Sequence, residues 1–186
     1  MNKDKSLITY VAFLRAINVG GRFVKMDVLS KLFSSAGFQN VRTFIQSGNV
    51  IFDSAETDAD MLEDRIEKLL QKKLGYEVDT MIRMLDELEA MVRRNPFKKL
   101  PDDAKISVAF MSAELKEKIK TPLFSPKKDV KIIEVKGRDA FCVHHLIEGK
   151  WGYPNLFIEK TFKVRTTVRF WSALKNLLAF AAAVER

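Results

Sequence analysis

The chain has 186 residues, of which 47% are apolar, so it can bury a core as one large or two small globular domains and is not a disordered tail. Its basic excess lies in the second half, since residues 94–186 carry 19 Lys and Arg against 10 Asp and Glu; such a surplus attracts anionic partners or serves solubility. No apolar run approaches the ~20 residues that span a bilayer, and Arg15 interrupts the first one, so we expect a cytoplasmic protein with neither signal peptide nor membrane association.

The first half alternates strand and helix patterns. Residues 7–17 are apolar on both alternating faces, which predicts a strand inside a sheet, and the helical spacing that follows stops at Gly37. Residues 40–46 and 49–53 predict two strands joined by Ser47-Gly48 as a two-residue hairpin, with Gln46 opposite Asn49. An amphipathic helix and a short strand are predicted next, over 58–74 and 77–83. This βαββαβ order predicts a ferredoxin-like fold with both helices on one face of an antiparallel sheet.

The second half gives a similar but less regular pattern. A linking helix over 85–94 ends at Asn95-Pro96-Phe97, because the residue before a proline is driven out of helical dihedrals. The elements predicted after it are a strand at 105–111, a short helix at 114–120, a hairpin of 130–136 with 140–146, and closing helices at 155–162 and 167–184. We therefore expect an α+β protein with two ferredoxin-like halves and antiparallel sheets. The first, 1–96, carries the Gly20-Gly21 and Ser47-Gly48 loops, and the second, 97–186, is degenerate and ends in two helices.

Two polar loops form the candidate ligand site. Arg15, Asn18, Gln46 and Asn49 are expected to converge there, because the first strand neighbours the strand that follows Ser47-Gly48. Guanidinium and amide groups suit a carboxylate, a phosphate or a base edge. The alternative is that the asparagines satisfy turn backbone while Arg15 pairs with an acid. The complete predicted ligand-binding set is Arg15, Asn18, Gly20, Gly21, Gln46, Ser47, Asn49 and Arg169.

Other chemistries have weak support in the sequence. Gly20-Gly21 lacks both the G-x-G-x-x-G spacing and the Gly-Lys-Ser/Thr ending of phosphate loops. His144 and His145 are adjacent in a predicted strand and point to opposite faces, so no metal site is expected. Cys142 is the only cysteine and is predicted to be a buried structural thiol. No catalytic residue is assigned, and no cofactor is expected.

The last predicted helix has a long apolar stripe, formed by Trp171, Leu174, Leu177, Leu178 and Ala181. Such a stripe is predicted to be buried in the core. The alternative is that it docks a second copy of the chain, as a homodimer, or another protein.

Several motifs resemble those of one bacterial family. They are Tyr10–Gly21, Val24-Lys25-Met26, Gly37-Phe38, Val41-Arg42-Thr43, Ile45–Val50, Asn95-Pro96-Phe97 and the triplet Thr167, Arg169 and Trp171. Together they resemble the signature of domain-of-unknown-function family 1697, departing from it at Ala16, where glycine is usual, and at Phe170, where asparagine is usual. The resemblance implies a small cytoplasmic bacterial protein with paired ferredoxin-like halves. It brings no established reaction, cofactor or catalytic residue.

Three functions follow as hypotheses. The leading one is a binding module for a small anionic ligand, or an enzyme acting on such a ligand, at the loops after strands 1 and 2. The second is RNA binding, with Phe13 and Phe44 stacking on bases across an open sheet face, although the sequence lacks the basic and aromatic run of RNA-recognition modules. The third is protein assembly through the last helix.

Overall fold

The computed structural model describes residues 6–18, 20–21 and 23–184, and its contacts divide the chain into two compact units. The first unit comprises residues 1–90 and 180–186, and the second comprises residues 91–179. The mixed α and β composition with antiparallel sheets is as predicted. A domain boundary near Pro96 stays a prediction.

The first unit has the ferredoxin-like βαββαβ order. Its elements are β1 (Ile8–Leu14), α1 (Met26–Ser35), β2 (Gln39–Phe44), β3 (Asn49–Ser54), α2 (Ala59–Leu74) and β4 (Thr80–Met84). The strands form one antiparallel sheet in the order β2-β3-β1-β4. One face of this sheet packs on both helices through a core that includes Tyr10, Phe52, Leu29, Phe33 and Ile66.

Local sequence fixes both ends of α2. The carboxylate of Asp58 accepts hydrogen bonds from the backbone N–H groups of Asp60 and Met61, which otherwise lack helical partners. Gly75 ends the helix with a φ of 80°, a left-handed conformation that glycine adopts without steric cost. Acidic Asp60 lies in the first turn and two lysines in the last, which complements the helix dipole.

The outer edge of the first sheet is covered by carboxylates. β4 is an edge strand, so the backbone N–H groups on its outer side have no neighbouring strand. Glu67 and Glu63, one turn apart on α2, accept hydrogen bonds from the N–H groups of Thr80 and Ile82, each at 2.8 Å. Glu87 accepts from the N–H of Met84 at 3.0 Å. Three glutamates thus replace the missing strand.

We expect Glu63→Ala to lower the free energy of unfolding by about 1–3 kcal/mol, because it leaves the buried N–H of Ile82 unsatisfied. Asp64→Ala is the control, since Asp64 makes only an exposed ion pair with Lys68 on the same helix, and such pairs contribute little. Urea titration followed by circular dichroism measures both variants. Equal unfolding midpoints would show that water replaces the Glu63 carboxylate without cost.

The second unit contains a related sheet. Its elements are β5 (Ile106–Met111), β6 (Leu123–Phe124), β7 (Val130–Lys136), β8 (Asp139–His144), β9 (Leu146–Ile147), β10 (Lys150–Trp151), α4 (Pro154–Phe162) and β11 (Thr166–Phe170). The main sheet is antiparallel in the order β11-β5-β8-β7-β6, and β9 with β10 forms a separate hairpin. Its neighbouring strands β11-β5-β8-β7 have the same order as the first sheet read from its other edge, β4-β1-β3-β2. α3 (Leu85–Arg94) and α5 (Trp171–Val184) contain the points where the chain passes from one unit to the other.

Two predicted elements of the second half differ in the structure. No helix forms over 114–120, which is about two turns of lysine-rich chain before a proline and too short to offset the cost of helix nucleation. The last helix begins at Trp171, whereas Thr166–Phe170 forms β11 and pairs with β5. Its β-branched residues Thr166, Thr167 and Val168 favour a strand. The second half therefore ends in α4, β11 and α5, and not in the two consecutive helices predicted from the sequence.

The apolar stripe of α5 lies mostly in the core. Trp171, Leu174, Leu177 and Ala181 are buried, and Leu178 is partly buried. The prediction of a core helix is confirmed for these residues. Among the described residues, none of the helices has the length and apolarity needed to cross a bilayer.

Candidate functional site

The hairpin of the predicted ligand site has a different register from the one expected. Phe44, and not Gln46, lies opposite Asn49, so the connection is the four-residue loop 45–48. Gly48 has a φ of 72°, as a two-residue turn at Ser47-Gly48 also allows, but Ile45 has a φ of 49°, whereas a two-residue turn would keep Ile45 on its strand. Gln46 and Ser47 therefore lie within the loop and not on the strands.

The loop after β1 packs against this hairpin loop. Asn18 donates from Nδ2 to the backbone oxygen of Gln46 at 3.0 Å, and its Oδ1 accepts from the N–H of Val24 at 2.6 Å. The backbone N–H of Leu14 donates to the oxygen of Gly48 at 2.8 Å. The Asn18 side chain thus ties the loop after β1 to the hairpin loop through Nδ2 and holds its own loop together through Oδ1.

The remaining polar groups of this region also bond within the chain. Nη1 of Arg15 lies 3.1 Å from a carboxylate oxygen of Asp79. Nδ2 of Asn49 donates to the hydroxyl of Ser47 at 2.7 Å and to the backbone oxygen of Phe44 at 3.2 Å. These bonds agree with the alternative considered from the sequence, in which the asparagines bond to turn backbone and Arg15 pairs with an acid. A ligand here has to compete with existing partners.

Gly20 and Gly21 both have positive φ, at 64° and 84°, and a Cβ on either would meet nothing within 4 Å. Their neighbours Val19 and Arg22 lie outside the described residues. Arg169 lies on β11 in the second unit, where Nη1 donates to the hydroxyl of Thr167 at 2.8 Å and to the oxygen of Val168 at 3.0 Å. Burial lowers the pKa of Arg169 to about 10, so its guanidinium remains protonated at neutral pH.

The second unit contains a buried serine and histidine pair. Nδ1 of His144 lies 2.9 Å from the backbone oxygen of Gly152, so this nitrogen carries the proton, and Nε2 accepts from the hydroxyl of Ser107 at 2.7 Å. Burial is the main cause that lowers the pKa of His144. Ser107 is fully buried and cannot reach a substrate, so the pair is structural.

The thiol and the metal-binding residue types are the remaining candidates for chemistry. Cys142 is fully buried, and burial raises its pKa to about 12, which makes it an inert core thiol as predicted. The described residues include no cluster of three or more His, Cys, Asp or Glu that could hold a metal ion.

The aromatic residues proposed to stack on RNA do not form an open face. Phe13 is only 1% exposed. Phe44 is partly buried, and its ring centroid lies 5.3 Å from that of Phe180. A base could stack on Phe13 only if the surrounding core opened.

A cleft in the second unit combines a concave shape with a chemically mixed lining. It has a volume of about 790 Å³ and lies between the turn 125–129, the β9–β10 hairpin and α4. The residues that line it are Ser125, Pro126, Lys127, Asp129, Ile147, Glu148, Lys150, Trp151, Tyr153, Leu156, Phe157, Lys160 and Thr161. None of them was among the residues predicted from sequence. The sequence feature that could have indicated this cleft is the apolar series Ile147, Trp151, Tyr153 and Leu156, which lies next to turn residues.

The walls of the cleft are held in place by backbone bonds. The N–H of His145 donates to the backbone oxygen of Asp129 at 2.8 Å, which ties the hairpin to the turn. Gly152, at the other end of the hairpin, packs so closely that a Cβ would lie 2.3 Å from the same oxygen. The ammonium of Lys105 lies 4.2 Å from the ring centroid of Trp151, a cation–π contact that helps to orient the indole.

Comparisons with known proteins give the family and support the fold. Residues 7–141 match the family described as "Protein of unknown function (DUF1697)". No curated protein matches the chain significantly. A solved structure, the conserved bacterial protein SP0830 from Streptococcus pneumoniae, is similar with a TM-score of 0.64 and 19% identity, covering 94% of this chain and 98% of that one. At that identity the similarity shows the fold alone. Because the family match spans well over half of its residues, the chain belongs to the DUF1697 family.

Proposed function

We propose that this protein is a binding module for a small organic molecule with an apolar ring, held in the cleft of the second unit. The observation that carries the proposal is the cleft itself. Its volume of about 790 Å³ lies within the roughly 300–1,000 Å³ of small-molecule sites, and its lining combines apolar surface with a few polar groups, as such sites do.

The exposed apolar side chains support this assignment. Trp151 is 40% exposed, Tyr153 66% and Leu156 64%, and all three line the cleft within a span of six residues. Large apolar side chains clustered in a concavity cost free energy in water, and a ligand that covers them recovers it. Because backbone bonds already hold the hairpin against the turn, little ordering is needed when a ligand enters.

The loops of the first unit are less suited to this role. A ligand there would have to displace Asp79 from Arg15 and break the bonds that Asn18 and Asn49 make to the loops. Asn49 is buried, and a buried polar group left without a partner costs about 1–3 kcal/mol, which a ligand would have to offset. At the cleft, by contrast, the apolar surface is already exposed.

The test is saturation-transfer NMR with a set of one- and two-ring aromatic compounds, both neutral and charged. We expect at least one ring to bind the unmodified protein, and Leu156→Asp to weaken that binding by about tenfold, equivalent to ~1.4 kcal/mol. Met61→Asp is the matched control, because Met61 is also an exposed apolar helix residue, at 59%, but lies on α2 in the first unit.

Two results would contradict the proposal. One is that no aromatic compound in the set gives a transfer signal. The other is that Leu156→Asp and Met61→Asp bind as the unmodified protein does. A thermal melt of each variant confirms that Leu156→Asp is folded, which is expected because its side chain is 64% exposed.

A further inference from the structure

We propose that the ligand of the cleft is an anion, an apolar ring that carries one carboxylate or a group of similar charge. This inference rests on the proposed function and adds the chemical class of the ligand. It depends on the charged residues around the cleft, which the apolar lining does not explain.

Three lysines from three different elements line the cleft. Lys127 lies on the turn, Lys150 on β10 and Lys160 on α4. All three are exposed, and none makes an ion pair within the described residues. Three lysines that line one concavity from three elements favour a positive potential there, which raises the local concentration of anions.

The two acidic residues of the lining offset two of the three lysine charges and leave a net charge of +1. Asp129 is partly buried, and its Oδ1 accepts a hydrogen bond from the hydroxyl of Ser125 at 2.5 Å, so that oxygen is already engaged with the turn. Glu148 is exposed at the tip of the β9–β10 hairpin, where it has a φ of 50° beside Gly149. The lining therefore has one positive charge in excess, in the half of the chain that carries the basic excess.

The apolar and basic parts of the lining are close in sequence. Lys150 and Trp151 both line the cleft although they are successive residues of β10, and Lys160 lies one helical turn after Leu156 on the same face of α4. A flat ring covering Trp151 and Leu156 therefore brings a carboxylate on its edge within reach of flexible lysine side chains. The stems of these lysines add apolar surface while their ammonium groups stay in water.

The experiment compares three compounds that share one ring and differ in charge: 2-naphthoate, 2-naphthamide and 2-naphthylmethylammonium. Isothermal titration calorimetry at low ionic strength is expected to show naphthoate binding about fivefold more tightly than the amide, and the ammonium compound binding least. The advantage of naphthoate should shrink in about 0.5 M NaCl, because salt screens exposed charges.

Substitutions test which lysines are responsible. The triple variant Lys127→Gln, Lys150→Gln and Lys160→Gln is expected to lose the preference for naphthoate while keeping its affinity for naphthamide. The control carries Lys98→Gln, Lys99→Gln and Lys175→Gln, three exposed lysines outside the lining whose loss changes the net charge equally. It should retain most of the preference.

The outcomes separate this inference from the proposed function. Equal affinities for naphthoate and naphthamide would overturn the anion inference and leave the cleft as a binding site for neutral rings. A preference that both triple variants lose equally would overturn it too, since net charge alone would then account for the effect. Absence of naphthoate binding would also overturn it, and the aromatic set used in NMR then decides whether the proposed function fails as well.

Discussion

Trp171→Ala is expected to lower the melting temperature by about 10 °C, which corresponds to a loss of about 3–5 kcal/mol in a protein of this size. Trp171 is 6% exposed, and its ring meets that of Phe97 edge to face, with centroids 5.0 Å apart. Alanine leaves a cavity the size of an indole and removes this aromatic contact. Such a loss is a large share of the ~5–15 kcal/mol that keeps a typical domain folded.

Lys175→Ala on the same helix is the control. Lys175 is exposed, so its truncation should change the melting temperature by little. Thermal unfolding followed by circular dichroism compares the two variants with the unmodified protein. Similar melting temperatures for Trp171→Ala and Lys175→Ala would mean that the indole contributes little to the core and would return α5 to the role of a docking helix.

Gly48→Ala is expected to destabilise the first unit by about 2–4 kcal/mol. Gly48 has a φ of 72°, and a Cβ there would lie 2.3 Å from Cγ2 of Ile17 and 3.1 Å from Cβ of Leu14. Overpacking a well-filled site costs typically ~1–3 kcal/mol, and a left-handed alanine adds about 1–2 kcal/mol. The loops after β1 and β2 would have to separate to admit the methyl group.

Gly20→Ala separates the two contributions. Gly20 has a similar φ of 64°, but a Cβ there meets nothing within 4 Å, so only the backbone strain remains. We expect it to cost about 1 kcal/mol. Chemical denaturation gives both values. If Gly48→Ala costs no more than Gly20→Ala, the close packing of the hairpin loop on Ile17 is wrong.

Much of the first unit could be predicted from sequence because each of its elements carries its own signal. A nearly continuous apolar run predicts β1, the helical spacing before Gly37 predicts α1, and Asp58 marks the start of α2. The hairpin register could not be read in the same way. It depends on Ile45 in a left-handed conformation, which a β-branched residue rarely adopts and which no local pattern indicates.

The end of the second unit was harder to predict because β11 and α5 are joined without a break. β11 ends at Phe170 and α5 begins at Trp171, with neither proline nor glycine at the junction. The sequence pattern over 167–184 therefore predicts one long helix. Pairing with β5, about 60 residues earlier in sequence, decides that Thr166–Phe170 is a strand. Long-range pairing of this kind leaves little trace in a local sequence window.

The candidate site shows the same division between local and long-range information. The polar loops at Asn18 and Asn49 were visible in sequence because glycine and asparagine mark turns, and the structure shows them serving as turns. The cleft is assembled from three segments, 125–129, 147–153 and 156–161, and only the fold brings the first of them to the other two. Its concavity therefore could not be inferred from residue types.

The carboxylates along β4 have a consequence for aggregation. An incoming strand that adds to this edge, as in domain swapping or fibril growth, needs the N–H groups of Thr80, Ile82 and Met84 as donors. Each of these N–H groups already donates to a glutamate from α2 or α3. An incoming strand would have to displace three carboxylates and place its backbone carbonyl oxygens beside them. The three carboxylates thereby oppose templated growth on this side of the first sheet.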